Sequence, residues 1–137
     1  MIVEYEDYVA FYGESEIIKK SFSRLSFDAE EIVRDICTGV DGYDKLENAF
    51  PDVEKDAMRV KRAICDIIHQ MSVTDNLTDK AGIKSVTAGN EAITYDTDYI
   101  HTSFKAYRQM VSNYLCNARD KNGVNLLYMG AYPYRYL

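Results

Sequence analysis

The sequence predicts a mainly α-helical single domain: a small bundle of three long helices plus a short amino-terminal helix, with one β-hairpin and an extended carboxy-terminal arm. Three observations lead there. Apolar residues recur in alternating steps of four and three over three separate stretches, the signature of a helix with one buried stripe. Only two prolines and seven glycines interrupt 137 residues, so long helices have room. Between the second and third stretches, two short β-branched runs flank a glycine turn. The length suits one domain, and 47% apolar with 28% charged residues suits a globular chain rather than a disordered one. Residues 1–123 are expected to hold the bundle and hairpin, and 124–137 the arm.

Taken in order, Tyr5, Tyr8, Val9 and Tyr12 stand at helical spacing and Gly13 ends that short helix. Ser15 is placed to cap the next one. Its stripe is Ile18, Phe22, Leu25, Ala29, Ile32 and Ile36, with Gly39 as the expected left-handed terminating residue. Residues 41–50 read as a turn and one or two helical turns through Tyr43, Leu46 and Phe50. Pro51 suits the first turn of a further helix, with Asp52, Glu54 and Asp56 at the positive end of its dipole. The stripe there is Val53, Ala57, Val60, Ile64, Ile67 and Met71.

Residues 75–98 change character. The runs 83–87 and 92–95 flank Gly89-Asn90 and predict a hairpin over about 82–96, turning near 88–91. A lone two-stranded hairpin is marginal in water and needs something to pair with. The third long helix is expected from about Asp98 to Ala118 on the stripe Ile100, Phe104, Tyr107, Val111, Tyr114 and Ala118. An apolar extended segment, Val124 to Gly130, comes next, and then a tyrosine-rich end.

Composition excludes several functions. Twenty-two acids against sixteen bases give a net charge of −6, which disfavours a free-standing nucleic-acid binder. No run approaches the ~18–20 apolar residues needed to span a bilayer. The acidic start MIVEYEDYVAFYGE is unlike a secretory leader. Cys37, Cys65 and Cys116 are an odd number and too far apart for a full disulfide framework or a zinc cluster, so a reducing, intracellular site of synthesis is expected. The acids at 75–79 and 96–98 lack the glycine and distal glutamate of a calcium loop. No phosphate loop and no nucleophile elbow is present, and His69 and His101 are the only histidines. The expectation is therefore no enzyme, no cofactor and no metal; an enzyme built on His69 or His101 is the weakest reading.

Twelve tyrosines remain to be placed. Tyr107 and Tyr114 lie on a core stripe, where packing covers them. Tyr128, Tyr132, Tyr134 and Tyr136 crowd the end, with a large apolar face and a polar tip each, which suits an interface. Either this segment folds back on its own domain or it docks on a neighbouring chain. Residues 1–16 carry five acids and no base, whereas 99–137 carry five bases and one acid. That polarity suits head-to-tail contact between copies, unless it averages out in three dimensions.

Together, the tyrosine-rich first helix (Tyr5-Glu6-Asp7-Tyr8, Phe11-Tyr12-Gly13), Phe22-Ser23-Arg24-Leu25, Ile36-Cys37-Thr38, the segment Gly82-Ile83-Lys84-Ser85 through Gly89 to Tyr95, Tyr114-Leu115 and Leu126-Leu127-Tyr128-Met129-Gly130 make a pattern. This pattern resembles the head–tail connector (adaptor, head-completion) proteins of long-tailed bacteriophages and prophages. It covers nearly the whole chain. Val86 departs from it, since an acid commonly follows the serine in that family, and the terminal tyrosine run is unusually aromatic.

The resemblance implies a structural virion protein at the head–tail interface, made in the bacterial host cytoplasm. Its copies would form a ring, usually dodecameric, beneath the portal protein, with a stopper or tail-completion protein on the opposite face. The isolated chain is compatible with a monomer, because the portal often nucleates such rings. DNA would pass through the channel without specific binding, and no membrane is involved. The expected interface residues are Ile83, Val86, Ile93 and Tyr95 in the hairpin, and Leu126, Leu127, Tyr128, Tyr132 and Tyr134 in the arm. Removing 124–137 is then expected to leave the helical fold intact while abolishing incorporation into heads. The alternative is a small helical adaptor or regulatory domain that binds a protein through its tyrosine-rich tail.

Overall fold

The computed structural model describes residues 2–88 and 105–134, with 74–88 described by backbone alone. The protein is mainly helical. Helix α1 spans Tyr5–Tyr12, α2 Glu16–Ile36, α3 Lys45–Asn48 and α4 Glu54–Ala88. A fifth helix, α5, occupies 105–115 of the described residues. No sheet forms among them; extended pairing is confined to isolated antiparallel bridges, Thr38 with Asp44 and Arg119 with Asn125.

Local chemistry explains the ends of the first two helices. The Asp7 carboxylate accepts from the Glu4 N–H at 2.9 Å, closing the first turn of α1. Gly13 ends it at φ +86°, its N–H donating to the Val9 carbonyl at 2.8 Å. The Ser15 hydroxyl then caps α2 by accepting from the Ile18 N–H. Tyr5 ties the two helices together, its hydroxyl accepting from the Ser15 N–H at 2.9 Å and donating to the Ser15 carbonyl at 3.2 Å.

Helix α2 buries Ile18, Phe22, Leu25 and Ala29 as the periodicity predicts. In its second half the buried face turns from the predicted stripe toward Ser26, Glu30, Val33 and Cys37, leaving Ile32 and Ile36 half-buried. The amino-terminal residues cover that flank. The N–H groups of Ile2 and Val3 donate to Glu30 Oε1 at 2.7 and 3.2 Å, which satisfies a buried carboxylate and seats Val3 in the core.

Helix α4 is the centre of the molecule. Residues 63–68 are buried on every face, because α1 and α2 pack on it and α5 runs antiparallel along another side. Val53, the first residue of the predicted stripe, is exposed. A further difference concerns the hairpin. Helix α4 continues through 83–88, so the first predicted strand is helical. Gly82 costs a helix only about 1 kcal/mol and no proline intervenes, so cooperative propagation from the packed part of α4 overrides the β-branched residues. The second run, with Ile93 and Tyr95, and also His101, lie outside the described residues.

Two corrections concern the segments after α2 and α5. Helix α2 ends at Cys37 with φ −89°, and Gly39 is not in the left-handed region; its lack of a side chain instead lets the Gly130 carbonyl approach. The arm is not an extended projection in its described part. Residues 124–134 fold back onto the loop between α2 and α3, with Leu126 fully buried and Tyr132 nearly so.

Candidate functional site

The returning segment and its cradle form the most elaborate polar constellation among the described residues. Three side chains hold it. Asp120 Oδ1 accepts from the N–H groups of Asn122 and Val124, both at 2.9 Å, which shapes the turn at Gly123 (φ +83°). Asp120 Oδ2 accepts from the Tyr132 hydroxyl at 2.5 Å, and that hydroxyl also receives Asn122 Nδ2 at 3.0 Å. Burial, and then the bond to Asp120, push the Tyr132 phenol above its ordinary pKa.

Asp41 grips the other edge of Tyr132. Its Oδ2 accepts from the Tyr132 N–H at 2.9 Å and its Oδ1 from the Tyr43 N–H at 3.2 Å. The two rings consequently stack, with centroids 3.9 Å apart and planes 14° from parallel. Lys45, 1% exposed, donates to the carbonyls of Cys37 at 2.8 Å and Tyr128 at 2.6 Å. The Val40 N–H completes the clasp by donating to the Met129 carbonyl at 2.7 Å.

This arrangement sorts the residues singled out in the sequence. Leu126 and Tyr132 are anchors buried within the chain, and Leu127 is half-buried. Tyr128 (45%), Met129 (45%) and Tyr134 (46%) remain exposed around the docked segment, beside Val40 (80%). Ile83 and Val86 fall on the α4 backbone where side chains are not described, and Ile93 and Tyr95 lie outside the described residues. Sequence reasoning missed Lys45, Asp41 and Asp120. The available signals were a base alone among the acids of 41–54, and the Asp-Lys-Asn-Gly turn pattern at 120–123.

Two other clusters are packed within the chain. The Tyr8 hydroxyl and His69 Nδ1 share a 3.0 Å hydrogen bond, and Tyr12 stacks on the same imidazole at 4.5 Å between centroids. One turn earlier on α4, the Tyr114 hydroxyl donates to Asp66 Oδ2, a buried carboxylate whose Oδ1 has no hydrogen-bond partner among the described residues. Burial of the Cys37 and Cys65 thiols raises both to about 12, which leaves them inert as nucleophiles. Among the described residues, no three His, Cys, Asp or Glu side chains gather as a metal site, and no helix is long and apolar enough to cross a membrane.

No protein-family model matches the chain, and neither a curated protein nor a solved structure matches it.

Proposed function

We propose that this chain is a non-enzymatic assembly protein that acts as a ring connector between the portal and the tail-side stopper or completion proteins of a long-tailed bacteriophage, extending the channel through which DNA passes. Two lines support the reading: the sequence resemblance, which spans nearly the whole chain, and the character of the candidate site. The observation that carries it is the group Val40, Tyr128, Met129 and Tyr134, exposed apolar and aromatic side chains on a segment held by the hydrogen bonds of Lys45, Asp41 and the Val40 amide. Side chains held on fixed backbone lose little entropy on docking, and aromatic residues and methionine are enriched at protein interfaces.

The predicted deletion of 124–137 is a poor test. It would remove Leu126 from the core and strip partners from Lys45, Asp41 and Asp120, so loss of binding would follow from damage to the body. A cleaner experiment measures the mass of the intact chain alone and with a candidate portal protein. A connector gains mass in multiples set by the portal ring. A chain that ignores the portal but captures a single regulatory protein belongs to the adaptor reading.

A further inference from the structure

An open groove of about 670 Å³ lies where α1, α4 and α5 meet. Its apolar lining is Phe11, Met58 and Tyr114, and its basic lining is Lys55, Arg59 and Arg62, with Glu54 as the single acid. Three bases against one acid stand out on a chain whose net charge is −6. The Arg62 guanidinium lies 5.1 Å over the Phe11 ring, which holds a cation at the edge of the apolar floor. Arg59 is partly neutralised by Asp56 at 3.5 Å and also donates to the Asn117 carbonyl, and Arg62 hydrogen-bonds the Tyr114 side chain, so the groove's attraction for an anion comes from Lys55 together with two partly engaged guanidinium groups. Met58 at the groove is 43% exposed, an apolar surface next to charge.

The chain also presents the complementary chemistry. At the corner between α1 and α2, Glu14 and Glu16 are exposed and bracket the Ser15 cap, and Ile17 beside them is 65% exposed. The corner is rigid: Gly13 turns the backbone, Ser15 caps α2, and Tyr5 bonds both backbone groups of Ser15. It therefore offers two carboxylates and one bulky apolar side chain in fixed relation. A groove with an apolar floor and cationic rim accepts that combination, burying the isoleucine while the charges pair at the edge.

We propose that the groove is a self-docking site that receives the Glu14–Ile17 corner of a second copy of the chain. In the head-to-tail form of this contact each copy in a pair keeps one free groove or one free corner, and addition continues past the dimer until a ring closes, whereas reciprocal pairing would stop at two copies. The inference rests on the ring-forming part of the connector reading and not on portal binding. It also relocates the basic partner of the acidic amino terminus from residues 99–137 to α4.

Charge reversal tests it. Sedimentation of the intact chain from about 10 µM to about 1 mM spans the weak affinities in which a contact of this kind falls. At low salt the wild type is expected to gain mass with concentration, and the gain should shrink in high salt. The K55E/R62E and E14K/E16K variants should each associate at least about tenfold more weakly, with unchanged helical circular dichroism. Because Arg62 also covers Phe11, K55E alone is included and should shift association in the same direction. Mixing the two double variants sets each reversed surface against a complementary one and should restore association. A wild type monomeric across the range, association indifferent to both variants, or a mixture no stronger than its components would each overturn the proposal. Portal binding measured on the same variants is scored separately, so a failure here and a failure of the connector reading are distinguishable.

Discussion

The Lys45 ammonium donates to the Tyr128 carbonyl at 2.6 Å, joining residues 83 apart in sequence, while its second bond holds the Cys37 carbonyl at the end of α2. One buried cation thus fastens the carboxy-terminal segment to the helical body. Burial draws its pKa below the ordinary lysine value, against the opposing influence of Cys37, Asp120, Asp41 and Asp44.

Lys45→Met keeps the stem and removes the donor, leaving two buried carbonyls without it. The expected loss is roughly 2–4 kcal/mol, the range for stranding buried polar groups. Hydrogen exchange locates the damage: amides of 124–134 should lose protection first, with those at the centre of α4 following only on global unfolding.

Gly39 is predicted to tolerate no side chain. A Cβ there would stand 2.6 Å from the Gly130 carbonyl oxygen and 3.3 Å from that of Met129, both backbone atoms that cannot swing away. Gly39→Ala should therefore lower stability by about 1–3 kcal/mol through displacement of the segment. The check is a denaturant midpoint beside loss of the Val40 amide's protection, since that N–H bonds Met129.

The sequence-level reasoning worked where one physical cause dominated. Steps of four and three located α2, the packed part of α4 and the carboxy-terminal part of α5, because amphipathic burial has a fixed period. Gly13 and Ser15 were legible because a left-handed turn and a cap each depend on one residue. The buried flank Ser26, Glu30, Val33 of α2 was not, since it is set by residues 2–3 arriving from elsewhere in the chain. The run 83–87 misled because β-branched residues only weakly oppose a helix already propagating. Lys45 was hidden for a related reason: burial of a lysine depends on two carbonyls that only the folded chain brings together.

Asp66 gives a pH signature. Burial raises its pKa despite the opposing bond from Tyr114 and the nearby His69. The folded chain therefore holds this proton more tightly than the unfolded one, so stability from this group rises as pH falls through the raised pKa and is lost as pH rises. Asp66→Asn removes that titration. The stability of wild type relative to the variant should increase on acidification from neutrality toward about pH 4, the ordinary carboxylate range. Parallel pH profiles for the two would contradict it.

In the proposed connector, the exposed side chains around the docked segment make the contact with the portal. Its most direct test is the mass of portal rings mixed with the wild-type chain and with Tyr128→Ser/Met129→Ser, a variant that alters exposed side chains and leaves the Lys45 and Val40 bonds to the backbone in place. Wild type should load the portal, and the variant, with an unchanged melting temperature, should bind at least about tenfold more weakly, the scale of losing an interface anchor. Equal loading by the two chains would contradict it.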